Sequence, residues 1–152
     1  MLPSPVAQTP AASSADARDH FARRLSLETD CADVHEAMTQ AGGLLSDFVL
    51  LDVRGPNAYA RSHVPGTLNL PHQQMTAERL ADWPEDTLFV VYCAGPHCNG
   101  ADRGALRLAE LGRPVKLMLG GMTGWADEDS PFATGEAPGS VLDAGVPVTQ
   151  AA

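Results

Sequence analysis

The sequence predicts an α/β domain built on a parallel sheet of about five strands, with helices on both faces. Three observations lead there. DFVLLDV (47–53) and LFVVYC (88–93) are continuous apolar runs, the mark of strands buried on both faces of a sheet. Segments with helical periodicity separate such runs, so strands and helices alternate, and alternation implies parallel pairing with helical crossovers. At 152 residues and 44% apolar, the chain is long enough to bury a sizeable core within one domain.

Taken in order, residues 1–20 are rich in Ala, Ser and Pro and read as a disordered leader. HFARRLSLETD predicts a short helix or arm entering a first strand near Leu25–Glu28. A helix through CADVHEAMTQ follows, opened by Asp30 or Cys31 and stopped by Ala41-Gly42-Gly43. After DFVLLDV, GPNAYARSHVPG holds a helical turn and a Pro-Gly turn, and TLNLP is a short strand. MTAERLADW predicts an amphipathic helix closed by Pro84. In ADRGALRLAEL (101–111), helical spacing puts Ala101, Ala105, Leu108 and Ala109 on one face, and Gly112 and Pro114 end the helix. VKLML is a further buried strand, and GGMTGWADE a glycine turn into a short helix. The expected domain therefore covers residues 21–133, with a Gly/Pro-rich tail over 134–152 ordered only where it packs. No internal repeat is visible.

A formal net charge of −9 argues against nucleic acid and anionic membranes as partners, since both require a basic face. No run approaches the roughly 20 apolar residues of a membrane span. No secretory signal is read at the start, and three cysteines do not make a disulfide framework, so the cytoplasm is the expected location.

Chemistry concentrates where LFVVYC ends. Ligand sites of such sheets lie at the carboxyl ends of strands. Cys93 stands there, followed by Ala94, Gly95, Pro96, His97, Cys98, Asn99 and Gly100, where a helix begins. A glycine-bearing loop running into a helix N-terminus offers converging N–H groups, able to hold a thiolate or an anionic substrate. Cys93 is the candidate nucleophile, and the loop residues 94–100 are candidate substrate contacts. Asn99 is a candidate helix cap. His97, when protonated, supplies positive charge near the anion, and Arg103 in the first helical turn is a candidate charge support. Cys98 has two readings: a thiol that resolves an oxidised or persulfidated Cys93, or a residue packing under the helix start. Cys31 reads as structural.

Several stretches together resemble single-domain rhodanese-like proteins: LLDVRGPNAYARSHVPGTLNLP (50–71), VVYCAGPHCNGADRGALRLAELG (90–112) and GGMTGWADE (120–128). The family's Asp-x-Arg, aromatic, and His-[Ile/Val]-Pro-Gly-[Ala/Thr] pattern matches Asp52, Arg54, Tyr59 and His63 to Thr67. Its Tyr-Cys and Gly-Gly-x-x-x-Trp match Tyr92-Cys93 and Gly120-Gly121 with Trp125. The resemblance covers roughly residues 25–130. It implies a thiol sulfurtransferase: Cys93 takes a sulfane sulfur from a small anionic donor such as thiosulfate, becomes a persulfide, and passes the sulfur to a thiol or other thiophilic acceptor. Cys93, His97 and Cys98 lack the second matching pair that a zinc site wants, so no metal is expected, and no cofactor. A structural role is expected for His63, a loop-holding pair for Asp52 and Arg54, and a core position for Trp125.

The loop departs from the common Cys-x-x-Gly-x-[Arg/Lys]-[Ser/Thr]. Cys-Ala-Gly-Pro-His-Cys-Asn-Gly is longer and lacks the cation and hydroxyl, though a variant loop of this type occurs in the family. Ser62 stands where Gly usually precedes the His. Two alternatives therefore remain. One is a catalytically weak binding or regulatory module. The other is a Cys-based phosphatase or arsenate reductase, whose Cys-x5-Arg arginine position is here Asn99.

Overall fold

The computed structural model describes residues 1–42 and 47–143. Gly43 and residues 144–152, expected as part of a helix stop and as tail, lie outside the described residues. Five strands form one sheet: β1 (Glu28–Asp30), β2 (Val49–Asp52), β3 (Leu68–Asn69), β4 (Phe89–Tyr92) and β5 (Val115–Leu119), in the order β1-β5-β4-β2-β3. Every pairing is parallel, as the unbroken apolar runs predict. The helices are α1 (Ser14–Leu27), α2 (Cys31–Gln40), α3 (Pro56–Arg61), α4 (Ala77–Leu80), α5 (Gly100–Glu110) and α6 (Gly121–Asp127).

The pleat sends alternate side chains to opposite faces. Leu50, Val90, Tyr92 and Met118 face one side, where Val34 and Met38 of α2 and Trp125 of α6 cover them. Leu51, Phe89 and Val91 face the other, under Leu80 of α4 and Ala101 and Leu108 of α5. β4 is buried along its whole length because it lies at the centre of the sheet, between β5 and β2. Cys93 joins the second layer, beneath α5.

Several elements differ from the sequence reading. The leader expected to be disordered through residue 20 is helical from Ser14, because the Ser13 hydroxyl accepts from the Asp16 N–H and caps the helix. α1 continues to Leu27 and pushes the first strand to Glu28–Asp30. Asp30 then caps α2 through the Asp33 N–H at 2.8 Å. The inner stripe of α5 is Ala101, Gly104 and Leu108, and Ala109 is exposed. Gly104 lets α5 sit close to the sheet: a Cβ there would lie 3.0 Å from Val53 Cγ1. β5 is only half-buried over Val115–Leu117, since α1 above it has no buried residue and leaves that flank open. α4 is a single turn, preceded by an unanticipated 3-10 turn at His72–Gln74.

The first part of the tail is pinned by backbone groups. His63 and Ala133 exchange two hydrogen bonds of 2.9 Å, Gly66 donates to the Pro138 carbonyl, and Val141 is buried. No helix among the described residues is long and apolar enough to cross a membrane.

Candidate active site

β4 ends at Tyr92, whose carbonyl accepts from the Val53 N–H, so the ends of β4 and β2 are fixed together. Cys93 is the next residue. The loop folds on a turn in which the Cys98 N–H donates to the Gly95 carbonyl at 3.1 Å. The start of α6 holds it from the other side: Met122 donates to the Cys93 carbonyl and Thr123 to the Ala94 carbonyl, both at 3.1 Å. Gly121 makes that approach possible. Its φ is +56°, and a Cβ there would collide with the Cys93 carbonyl oxygen. The Gly-Gly motif, nearly thirty residues downstream by sequence, is therefore part of the loop's support.

Two sulfurs meet at the centre. Cys93 Sγ and Cys98 Sγ are 2.6 Å apart, both cysteines being free thiols. Cys93 is buried and Cys98 half-buried. Burial pushes the Cys93 thiol up to about 11, reinforced by its hydrogen bond to Cys98. Cys98 moves the opposite way, lowered by the hydrogen bond from Cys93 and by the Gly100 N–H, 3.5 Å from its sulfur. Of the two thiols, Cys98 is therefore the readier to ionise. The sequence reading put the cradled thiolate on Cys93. The helix-start N–H of Gly100 addresses Cys98, while Cys93 sits deeper under α5, where burial outweighs the Ala94 N–H that favours its thiolate.

Two clefts flank the loop. Cys93, Gly95, Pro96, Cys98 and Ala101 line one of about 520 Å³, together with Glu28 and Asp102. Ala94 lines the other, of about 490 Å³, with Arg54, Arg61 and Ser62. The Ser62 hydroxyl is buried with no hydrogen-bond partner among the described residues. His97 is exposed at the loop tip. Asn99 occupies the cap position of α5, but its side chain makes no cap; its Oδ1 accepts from Arg103 Nε at 3.2 Å instead. Arg103 is exposed and lines neither cleft. The charged residues of the thiol-lined cleft are the acidic Glu28 and Asp102, whereas Arg54 and Arg61 line the other cleft. Asp102, in the first turn of α5, lines the same cleft as Cys98 and carries no sequence signal that would have singled it out.

The loop's surroundings are densely hydrogen-bonded. Arg54 grips Asp52 through Nε (3.0 and 3.1 Å) and a terminal nitrogen (2.7 Å), and donates to the Ser62 carbonyl at 2.6 Å. His63 is fully buried, stacked on Tyr59, with Nδ1 2.8 Å from the Tyr59 carbonyl oxygen and Nε2 3.1 Å from that of Pro138. Trp125 is core, and its indole N–H donates to the Pro131 carbonyl at 2.7 Å. Cys31 is buried against the carbonyls of Leu119 and Gly121; burial and nearby acidic residues hold its thiol at about 12, so it is inert.

A Cβ on Gly100 would lie 2.9 Å from Cys93 Sγ and 3.5 Å from Cys98 Sγ. Gly100→Ala is thus expected to leave the helix intact and force Cys93 Sγ aside. A shift of about 1 Å at a reacting atom costs roughly a hundredfold in rate. Alkylation rates of Cys93 beside a thermal melt check this: a rate close to wild type would show that the sulfur has not moved.

Fold and site together define an α/β domain that presents a loop-borne thiol pair at the carboxyl edge of its central strand. A family model described as Rhodanese-like domain matches residues 32–128, and the chain belongs to that family. It is 36% identical over 97 residues to an HTH-type transcriptional regulator of Mycobacterium tuberculosis, a match covering 59% of this chain and 42% of that protein. Among solved structures it is similar to the BH2092 protein of Bacillus halodurans, with TM-score 0.74 and 29% identity over 82% of this chain and 88% of that one. A thiosulfate sulfurtransferase of Pseudomonas aeruginosa shares the fold, with TM-score 0.56 and 22% identity over 78% of this chain and 22% of that one.

Proposed function

We propose that the protein is a thiol sulfurtransferase that carries sulfane sulfur as a persulfide on Cys93 and passes it to a thiophilic acceptor. The observation that supports this most is the position of Cys93: the first residue beyond the central strand, its sulfur bordering an open cleft and held in contact with a second thiol.

The chemistry balances within the pair. Cys93 sulfur attacks the outer sulfur of a donor such as thiosulfate. Its proton passes to the Cys98 thiolate across the 2.6 Å contact, and sulfite leaves with the electron pair of the broken S–S bond. Cys93 is left as a persulfide anion. An acceptor thiolate then takes the outer sulfur and regenerates the Cys93 thiolate, which recovers its proton from Cys98. Glu28 and Asp102 at the cleft disfavour a dianion, so thiosulfate is expected to serve at millimolar rather than micromolar concentration.

Loading is tested with thiosulfate at about pH 9.5, where hydroxide can replace Cys98 as proton acceptor. Cys98→Ser is expected to gain one sulfur atom by intact mass, removable by reductant. Cys93→Ser/Cys98→Ser is expected to gain none. Uptake by the double variant would show that Cys93 is not the carrier.

A further inference from the structure

We propose that Cys98 is a second catalytic residue, which attacks the persulfide on Cys93, closes a Cys93–Cys98 disulfide and releases the sulfane sulfur as hydrosulfide. This rests on the persulfide reading above and adds an activity to it: reduction of sulfane sulfur to sulfide.

Geometry carries the step. Thiol–disulfide exchange needs the attacking sulfur at the sulfur attacked. The two sulfurs are already 2.6 Å apart before any bond exists between them, and closing to a disulfide at about 2.05 Å requires little movement. The turn bond from Cys98 N–H to the Gly95 carbonyl and the bonds from Met122 and Thr123 hold both ends of the loop in that arrangement. Gly100 keeps the space beside both sulfurs open. The Gly100 N–H and the lowered Cys98 thiol favour Cys98 as the attacking anion.

Atoms and electrons balance. After loading, Cys93 carries the persulfide anion and Cys98 the proton. The Cys98 proton first passes to the outer sulfur; the Cys98 thiolate then bonds to the inner sulfur on Cys93, the bond to the outer sulfur breaks, and that sulfur leaves with the electron pair as hydrosulfide. The two cysteine sulfurs are oxidised to a disulfide and the sulfane sulfur is reduced by two electrons, so no external oxidant enters. A dithiol reductant restores the pair. Sulfur therefore partitions between an acceptor thiol, when one reaches Cys93 first, and release as sulfide.

The experiment incubates the reduced full chain with thiosulfate at about pH 9.5, where hydroxide replaces Cys98 as proton acceptor for loading, without oxygen, and measures sulfite, sulfide and intact mass for wild type, Cys98→Ser and Cys93→Ser. Wild type is expected to yield equal sulfite and sulfide, one of each per chain, and to end two hydrogen atoms lighter, with a peptide linking Cys93 to Cys98. Cys98→Ser is expected to yield sulfite without sulfide and to keep one added sulfur until dithiothreitol is supplied; Cys98→Ala serves as a second variant. Sulfite with a stable persulfide on wild type overturns this inference alone. So does sulfide release by Cys98→Ser at the wild-type level, or sulfur retained on Cys98 in Cys93→Ser. Absence of sulfite from both wild type and Cys98→Ser overturns the persulfide reading and this inference with it.

Discussion

Asp52→Ala is expected to lower stability by about 3–5 kcal/mol, the range for removing one member of a buried ion pair. Asp52 is fully buried at the end of β2, and Arg54 is largely buried, with its side chain 14% exposed. The carboxylate accepts from Arg54 Nε, from a terminal guanidinium nitrogen, and from the Arg54 backbone N–H at 2.9 Å. Alanine would leave those donors and a positive charge with no anion to face. The Arg54 bond to the Ser62 carbonyl alone cannot offset that. Loss should reach beyond β2, because Asn69 also donates to the carbonyls of Asp52 and Arg54, tying β3 to the same corner. Urea denaturation at neutral pH measures it. Since the pair is screened from salt by burial, the loss should persist at high ionic strength. A change under 1 kcal/mol would mean that the corner is held by packing and not by the pair.

Iodoacetamide at about pH 7 should label Cys98 first, leaving Cys93 and Cys31 almost untouched. Alkylation follows the thiolate fraction, which rises as pH passes the thiol's pKa. For Cys98 that value is lowered, so its labelling midpoint falls below that of an ordinary thiol. Cys93 at about 11 would hold a thiolate fraction on the order of 10⁻⁴ at pH 7. Cys98→Ser removes the hydrogen bond and charge that oppose ionisation of Cys93 but leaves its burial. Labelling of Cys93 should therefore rise, with a midpoint that still lies above the ordinary value. Peptide mapping after a short exposure reads both sites. Cys93 labelled ahead of Cys98 in the wild-type chain would place the anion on the deeper sulfur and contradict the hydrogen-bond direction inferred for the pair.

The distance between what was legible and what was not follows particular residues. DFVLLDV and LFVVYC were legible as strands because a strand covered on both faces has no polar side to interrupt its apolar run. The α2 boundaries were legible because Asp30 and Ala41-Gly42 are local stop and start chemistry. Exposed α1 was harder to read: nothing in it is buried, so no apolar stripe announces it. The α5 face was misplaced by Ala109, since alanine is indifferent to burial and Gly104, with no side chain, carries no apolar signal.

By itself the sequence determined an all-parallel α/β domain, the family motifs, and a cysteine at the end of its most apolar strand followed by a loop and a helix. Local periodicity and ordered motifs are properties of neighbouring residues, so one chain suffices to read them. Only the tertiary structure decided which sulfur holds the charge. That depends on the depth of Cys93 beneath α5, on the Gly100 N–H pointing at Cys98, and on the carbonyl grip of Met122 and Thr123 from a helix almost thirty residues away. It also decided that the local charge is Asp102 and Glu28 rather than Arg103, because a side chain's field depends on where it points and not on how near it is in sequence.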